Sequence, residues 1–215
     1  MKEYDVYIFD LDGTLLSTLE DLAISTNYAL EKCSMPVRSI DEVRRFVGNG
    51  VRKLIERAVP GGETNPRFDE VLSTFKNHYI QHSYDHTAPY PHIIETLKSL
   101  RLRNKRVAVV SNKFYNATVD LCQHFFGDVV EEVAIGEREG IRKKPAPDTV
   151  EEALRQLGVG KDNAVYIGDS EVDVETACNS GMPCVSVLWG FRDRDFLESH
   201  GAETFINDPK ELLDW

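Results

Sequence analysis

Short apolar runs rich in strand-forming residues alternate along this chain with segments of helical periodicity, and this alternation restricts the fold more than any other sequence feature. The runs are Tyr4–Phe9, Val107–Ser111, Ala164–Gly168 and Cys184–Leu188, with weaker ones at Val129–Ile135 and Thr204–Ile206. Between them, apolar residues recur at the three- and four-residue spacing of helices. Strands that alternate with helices form a parallel sheet covered by helices. The sequence therefore predicts an α/β core.

Residues 15–85 interrupt this alternation, because they show helical periodicity and no convincing strand. Gly48-Asn49-Gly50 breaks the segment in its middle, and Pro89-Tyr90-Pro91 marks the return of the chain to the core. We predict a helical domain at 15–85, inserted after the first strand of a core formed by 1–14 and 86–215. Open α/β folds bind ligands at the carboxyl edge of the sheet, so an insertion at this point is expected to act as a lid.

Composition narrows the range of partners. The chain of 215 residues carries a formal net charge of −11, which repels nucleic acid and phospholipid surfaces. A phosphate site would therefore need cations concentrated locally. The 4 cysteines are scattered without paired spacing, which fits neither a disulfide framework nor a zinc site. No segment approaches the ~20 apolar residues of a membrane span, so we expect a cytoplasmic protein that binds neither nucleic acid nor membrane.

Charged and polar residues cluster where the predicted strands end. The motifs are Asp10-Leu11-Asp12-Gly13-Thr14-Leu15, Ser111-Asn112-Lys113, Lys144-Pro145-Ala146-Pro147-Asp148, and Gly168-Asp169-Ser170 with Asp173. In this order they resemble the four motifs of the haloacid dehalogenase superfamily, and the helical insert stands where that family has its cap. The resemblance implies a Rossmann-like parallel sheet with a helical cap. It also implies a magnesium-dependent phosphatase that acts on a small phosphorylated metabolite through an aspartyl-phosphate on Asp10.

The first motif contains residue types that phosphoryl transfer requires. Asp10 is the expected nucleophile, since carboxylates form acyl-phosphate intermediates in several enzyme classes. Asp12 lies two positions on, on the same side of an extended chain. We expect it to protonate the leaving alkoxide and then to deprotonate the attacking water.

Two carboxylates would repel a phosphate dianion by several kcal/mol at low effective dielectric, so the site needs a cation. Asp10, Asp169 and the backbone carbonyl of Asp12 resemble the Mg²⁺ ligand set of the family, and Mg²⁺ prefers oxygen ligands. Asp173 lies four residues after Asp169, where it would support the site.

Three further residues are expected to bind phosphate. The Ser111 hydroxyl and a backbone N–H near Asn112 can donate to phosphate oxygens, while Lys144 can neutralise both the phosphoryl group and Asp10. Two of them have an ordinary alternative: Ser111 could cap the following helix, and Lys144 could belong to a solvated basic loop with Arg142 and Lys143.

The insert suggests a subgroup. The segment from Arg45 to Arg52, which contains Gly48-Asn49-Gly50, resembles the cap of phosphoglycolate phosphatase-like members. We predict that Asn49, Gly50 and Arg52 face the leaving group, with Arg52 able to pair with a carboxylate. Three histidines at four-residue spacing are interpreted as surface residues of the last cap helix, because no fourth metal ligand is evident: His78, His82 and His86. Trp189 and Phe191 are interpreted as packing residues.

Other functions remain open at the level of sequence. The same scaffold serves pyrophosphatases, nucleotidases, sugar-phosphate phosphatases and phosphoglucomutase-like enzymes. A phospho-acceptor signalling module also combines acids, a hydroxyl residue and a lysine, but it lacks a long helical lid. A non-catalytic binding protein is the third alternative, and the intact acidic motifs argue against it. The sequence does not define the oligomeric state.

Overall fold

The computed structural model of the protein describes residues 4–127, 129 and 133–214. The chain divides into two compact units: residues up to Leu16 together with those from Pro89 onward, and Ser17–Ala88. The assignment of two domains at 1–14 with 86–215 and at 15–85 stays a prediction, since a compact unit is defined by contacts and a domain by independent folding.

The larger unit is built on a parallel sheet. The strands of the chain are β1 (Val6–Phe9), β2 (Leu16–Ser17), β3 (Ala88–Pro89), β4 (Arg106–Phe114), β5 (Val133–Glu137), β6 (Ala164–Gly168), β7 (Cys184–Val187) and β8 (Phe205–Ile206). Six of them form one sheet in the order β5-β4-β1-β6-β7-β8, and every neighbouring pair is parallel. The predicted α/β class is confirmed.

The expectation of no strand in 15–85 is wrong at Leu16–Ser17, which forms the short β2, and two of the predicted strands differ most in their bounds. The strand expected at Val107–Ser111 is β4, which continues through Asn112 and Lys113 to Phe114. The strand expected at Val129–Ile135 is β5, which begins at Val133; residues 130–132 of the expected run lie outside the described residues.

The sheet is buried on both faces. Tyr7 and Phe9 of β1 pack into one apolar cluster, and Val6 and Ile8 pack into another on the opposite face. The helices of this unit are α5 (Ile93–Leu102), α6 (Tyr115–Phe126), α7 (Asp148–Leu157), α8 (Glu171–Ser180) and α9 (Arg194–Ser199). Burial on both faces explains why β1 is a continuous apolar run rather than an alternating one.

The smaller unit is helical. Its helices are α1 (Leu19–Lys32), α2 (Ile40–Phe46), α3 (Val51–Ala58) and α4 (Phe68–His82). The apolar stripes of α1, α3 and α4 are buried, as their periodicity predicts. The sequence analysis did not single out α2, which begins with a reciprocal capping box between Ser39 and Glu42. No helix among the described residues combines the length and the apolar character needed to cross a membrane.

Candidate active site

Adjacent parallel strands bring three buried carboxylates together. Asp10 follows β1, Asp169 follows β6, and Asp173 lies in the first turn of α8. The Asp10 backbone N–H donates to the Ile167 carbonyl at 2.9 Å, which keeps the two strand ends in register. One carboxylate oxygen from each of the three aspartates lies within 4.8 Å of the other two. Their meeting point is the carboxyl edge of the sheet, the usual ligand site of open α/β folds.

Lys144 is buried among these acids and does not lie in a solvated loop. Its Nζ is 2.9 Å from Asp10 Oδ1 and 2.7 Å from Asp173 Oδ1. It also donates to the Tyr166 hydroxyl at 3.0 Å. The amide of Asn112 donates to the Lys144 carbonyl at 3.0 Å and fixes the backbone from which the lysine extends.

Burial and mutual repulsion shape the electrostatics of the acids. Burial raises the pKa of Asp10 to about 7, and although Lys144 lowers that pKa, Asp173 and Asp12 raise it. Burial also raises the pKa of Asp169 well above its usual range, and the charges of Asp173 and Asp10 add to the effect. Burial lowers the pKa of Lys144, but the charges of Asp10 and Asp173 outweigh burial and leave it above its ordinary value. The cluster therefore favours a further cation.

Hydrogen bonds distinguish Asp173 from the other two acids. Its Oδ1 accepts from Lys144 at 2.7 Å and from the Tyr166 hydroxyl at 3.0 Å. Its Oδ2 accepts from the backbone N–H of Ser170 at 3.1 Å and from the Ser170 hydroxyl at 2.6 Å. Asp173 thus has two donors on each oxygen, whereas Asp169 accepts one hydrogen bond on each, so Asp173 is suited to hold Lys144 and to cap α8.

Asp10 and Asp169 are therefore the carboxylates best placed to ligate a cation. Their oxygen donors, together with the backbone carbonyl of Asp12, match the preference of a hard divalent ion such as Mg²⁺. The raised pKa values of Asp10 and Asp169 have the same physical origin as affinity for such an ion, namely buried negative charge in excess.

Asp12 pairs with a cation that the sequence analysis quoted without giving it a role. Lys113 Nζ lies 2.8 Å from Asp12 Oδ1 and 3.0 Å from Oδ2. Only 4% of Lys113 is exposed, because β4 continues past Ser111 and directs this residue inward. The sequence signal for Lys113 was its position two residues after Ser111, near the end of a central strand. The site thus contains two buried lysines, Lys113 and Lys144.

Ser111 does not cap the helix that follows it. Helix α6 begins at Tyr115, and Phe114 is its N-cap residue. The Ser111 hydroxyl instead accepts from the backbone N–H of Lys113 at 3.2 Å. Ser111 and Asn112 are 2% and 4% exposed, so both lie within the buried edge of the site.

Asp169 is held by Thr14 of the first motif and by Phe191, which the sequence analysis assigned to packing alone. The Thr14 hydroxyl donates to Asp169 Oδ1 at 3.0 Å, and the Phe191 backbone N–H donates to Oδ2 at 2.8 Å. The indole N–H of Trp189 donates to the Thr14 carbonyl at 2.9 Å. No sequence signal identifies these contacts, because Thr14 and Trp189 are 175 positions apart.

The predicted substrate residues of the helical unit have partners within that unit. Arg52 Nε donates to Glu63 Oε1 at 2.7 Å, and its guanidinium lies 4.9 Å from the centre of the Phe68 ring. Asn49 Oδ1 accepts from Arg57 at 2.7 Å. Gly50 is the N-cap residue of α3 and has a φ of 86°, which favours glycine. Contact of these residues with substrate stays a prediction.

His78 and His82 lie on α4, but the helix ends at His82, so the predicted placement of His86 on it is wrong. His78 stacks between Tyr28 and His82, at centroid distances of 4.0 and 4.2 Å. His82 Nδ1 lies 2.8 Å from Asp85, and His86 lies 3.6 Å from Glu20. In the part of the chain that the structure describes, the only group of three potential metal ligands is the one formed by Asp10, Asp169 and Asp173.

Known proteins match this chain over most of its length. A family model described as haloacid dehalogenase-like hydrolase matches residues 7–187. A phosphoglycolate phosphatase of Aquifex aeolicus is 30% identical over 97% of this chain and 94% of the relative. One of Mesorhizobium japonicum is 32% identical over 90% of this chain and 86% of the relative.

Solved structures match equally broadly. The crystal structure of a candidate phosphoglycolate phosphatase from Lactobacillus delbrueckii subsp. bulgaricus superposes with a TM-score of 0.93 at 36% identity, over 98% of this chain and 97% of the other. A predicted phosphoglycolate phosphatase from Haemophilus somnus superposes with a TM-score of 0.91 at 26% identity, over 100% of this chain and 98% of the other.

Proposed function

Because this chain belongs to the haloacid dehalogenase-like hydrolases, we propose that it is a magnesium-dependent phosphatase that hydrolyses a small phosphate monoester through an aspartyl-phosphate on Asp10. The observation that carries the proposal is the environment of Asp10. Asp10 directly follows β1, is 7% exposed, and lies against Lys144 in a cluster with Asp169. A buried carboxylate beside a cation and a candidate metal position is suited to attack phosphorus.

The reaction takes two displacements. In the first, a carboxylate oxygen of Asp10 attacks phosphorus, the ester P–O bond breaks, and Asp12 gives a proton to the leaving alkoxide. In the second, Asp12 takes a proton from water as the water oxygen attacks phosphorus. The bond between Asp10 and phosphorus then breaks, which releases inorganic phosphate and restores the carboxylate. Lys113 holds the Asp12 side chain at the site between turnovers, with contacts of 2.8 and 3.0 Å.

Buried lysines at the site offset the negative net charge of the protein where a phosphate ligand would bind. The protein has a formal net charge of −11, so a phosphate dianion approaches only where cations are concentrated. Lys113 and Lys144 are 4% and 2% exposed, and in such low-dielectric surroundings their charges act strongly on a bound phosphate. Ser111 and a backbone N–H near Asn112 supply uncharged donors for the remaining phosphate oxygens.

Magnesium completes this charge balance when it is bound. We assign Asp10, Asp169 and the backbone carbonyl of Asp12 as its protein ligands, with Asp173 as a support that orients Lys144. The ion supplies the positive charge that allows the Asp10 carboxylate to approach a dianionic phosphate. The raised pKa of Asp10, about 7 in the metal-free protein, is consistent with a carboxylate that needs such a counter-ion.

The proposed substrate is phosphoglycolate or a close analogue, on the strength of the names of the relatives. Asn49, Gly50 and Arg52 are the proposed contacts for the leaving group. Arg52 is half exposed and paired with Glu63, so it would exchange one carboxylate partner for another on binding a carboxylate-bearing substrate. Other esters of the same scaffold are alternatives that substrate profiling separates, and a cytoplasmic location is part of the proposal.

The test is phosphate release from phosphoglycolate, pyrophosphate, nucleoside monophosphates and hexose phosphates, with and without Mg²⁺. Asp10→Asn removes the nucleophile at constant size, and Asp195→Asn makes the same change at an exposed position of α9. We expect magnesium-dependent turnover that Asp10→Asn abolishes and Asp195→Asn retains. Preference for another ester would replace the substrate and keep the mechanism.

Two outcomes would contradict the mechanism itself. Full activity of Asp10→Asn would exclude an aspartyl-phosphate at this position. A stable phospho-Asp10 without turnover, detected by mass spectrometry after incubation with phosphoryl donors, would indicate a phospho-acceptor module.

A further inference from the structure

The segment Trp189–Phe191, which follows β7, lies directly against Asp169. From this arrangement we propose that Trp189 is a positioning residue, which orients Asp169 for the metal ion through Thr14. The inference rests on the proposed magnesium-dependent function and adds to it a residue outside the four sequence motifs. In this proposal Trp189 acts through its contact with Thr14 and not by binding the substrate or the metal ion.

Both oxygens of the Asp169 carboxylate are held from opposite sides. Oδ1 accepts from the Thr14 hydroxyl at 3.0 Å, and Oδ2 accepts from the Phe191 N–H at 2.8 Å. A carboxylate with a donor on each oxygen cannot rotate without losing one of them. Each oxygen still has a second lone pair, so this arrangement orients Asp169 without preventing it from ligating a cation.

Hydrogen bonds join Trp189 to Thr14, Thr14 to Asp169, and Asp169 to Phe191, and we call this set of contacts the circuit. The indole Nε1 of Trp189 donates to the Thr14 carbonyl at 2.9 Å, while the next residue but one, Phe191, donates to Asp169. Thr14 is fully buried, so its position depends on the contacts that its own backbone makes. One short segment therefore fixes Asp169 twice, directly through Phe191 and indirectly through Trp189 and Thr14.

Gly190 allows this close approach. A Cβ atom at position 190 would lie 2.3 Å from the Asp169 Cβ and 2.5 Å from the Gly13 carbonyl oxygen. Both distances are far below van der Waals contact, so residue 190 has to lack a side chain for the segment to reach Asp169. Packing of Trp189 alone would not require the backbone at 190 to lie against the candidate metal ligand.

Two explanations of Trp189 predict different results. Trp189 is half-buried and packs against the main apolar cluster of the sheet, so a purely structural role predicts a loss of stability only. Positioning of Asp169 predicts weaker binding of Mg²⁺ by a folded protein. Residues that orient metal ligands typically contribute about 10–100-fold to metal affinity.

The decisive variant is Trp189→Phe, which removes the indole N–H and keeps an aromatic ring. We would titrate the metal-free wild-type and variant proteins with Mg²⁺ by calorimetry, and measure their thermal unfolding without metal by circular dichroism. We expect the Mg²⁺ dissociation constant to rise about 10-fold in Trp189→Phe. Trp215→Phe, at the second tryptophan, lies outside the described residues and is measured in parallel as the same substitution elsewhere in the chain.

A second variant tests the circuit itself. Thr14→Val removes the hydroxyl that donates to Asp169 at nearly constant size. If Trp189 acts through Thr14, the protein that carries both Trp189→Phe and Thr14→Val should lose less Mg²⁺ affinity than the product of the fold-changes of the two single variants. In the Trp215→Phe protein, the emission of Trp189 should change on Mg²⁺ addition, with the midpoint that calorimetry gives.

The possible failures are distinguishable. Unchanged Mg²⁺ affinity in Trp189→Phe, with or without a lower melting temperature, would overturn the positioning role and leave the proposed function intact. Independent, multiplicative effects of Trp189→Phe and Thr14→Val would overturn the circuit. If the wild-type protein binds no Mg²⁺, the proposed metal chemistry fails and this inference fails with it.

Discussion

Replacement of Lys144 by methionine tests the electrostatic account of the site. Lys144 Nζ lies between Asp10 and Asp173, at 2.9 and 2.7 Å, and only 1% of its side chain is exposed. Methionine is also unbranched and flexible, so it fills most of the same space without the charge. The variant therefore leaves the carboxylates of Asp10 and Asp173 buried without their lysine partner.

The expected loss of stability is about 3–5 kcal/mol near neutral pH, the usual cost of removing one partner of a buried ion pair. The loss should depend on pH. Burial raises the pKa of Asp10 from 3.8 to about 7, and removal of Lys144, whose charge lowers that pKa, raises it further. A carboxyl group whose pKa is higher in the folded than in the unfolded state makes folding less favourable as pH rises through that window. Below about pH 7 Asp10 is protonated in both folded proteins, so the difference between wild type and variant should begin to grow near pH 7 and increase above it.

The assay is urea unfolding followed by circular dichroism, in metal-free buffer at several pH values. Lys143→Met is the matched control, because the neighbouring Lys143 has 37% of its side chain exposed and lies 3.7 Å from Glu137. We expect this control to change stability by less than about 1 kcal/mol, as for surface ion pairs. A loss in Lys144→Met that is equally small, or that does not vary with pH, would refute the reasoning.

Three further predictions follow from the same contacts. Gly190→Ala should lower Mg²⁺ affinity by more than about 10-fold, because the alanine Cβ would lie 2.3 Å from the Cβ of Asp169. Wild-type affinity by calorimetry would contradict the close approach of residue 190 to Asp169. Tyr166→Phe should reduce the free energy of unfolding by about 1–2 kcal/mol, because loss of the buried hydroxyl leaves the Lys144 ammonium group with one acceptor fewer. Urea unfolding measures this free energy, and an unchanged value would contradict the prediction. Chelation of Mg²⁺ should lower the melting temperature more at about pH 8 than at about pH 6. Below its pKa of about 7 Asp10 is protonated, and the proton competes with the metal ion for the carboxylate. Equal shifts at both pH values in a fluorescence melt would argue against Asp10 as a ligand.

Much of the local structure followed from the sequence. The apolar run ending at Asp10 is β1, and the periodic stripes of residues 19–30, 51–58 and 68–79 are the buried faces of helices α1, α3 and α4. These features depend on neighbours within a few positions, so periodicity and turn residues determine them. The four motifs and their order likewise indicated the family, because the chemistry of phosphoryl transfer restricts which residue types can stand at strand ends.

The tertiary structure decided which hydrogen-bond and ion-pair partners each of those residues has. Asp169 and Asp173 are the same residue type and four positions apart, yet Asp173 accepts hydrogen bonds from Lys144, Tyr166 and Ser170, while Asp169 accepts from Thr14 and Phe191. The pairing of Asp12 with Lys113 joins residues 101 positions apart, and the contact of Trp189 with Thr14 joins residues 175 positions apart.

Sequence by itself therefore determined the fold class, the helical insert and the list of candidate residues, since these depend on residue type and short-range spacing. The structure alone decided which hydrogen-bond partners each carboxylate has, which lysine meets which acid, and that a tryptophan contacts Thr14. Such contacts depend on the direction of side chains across neighbouring strands and on distances of a few tenths of an ångström. Packing of the whole chain sets those distances, and no local pattern records them.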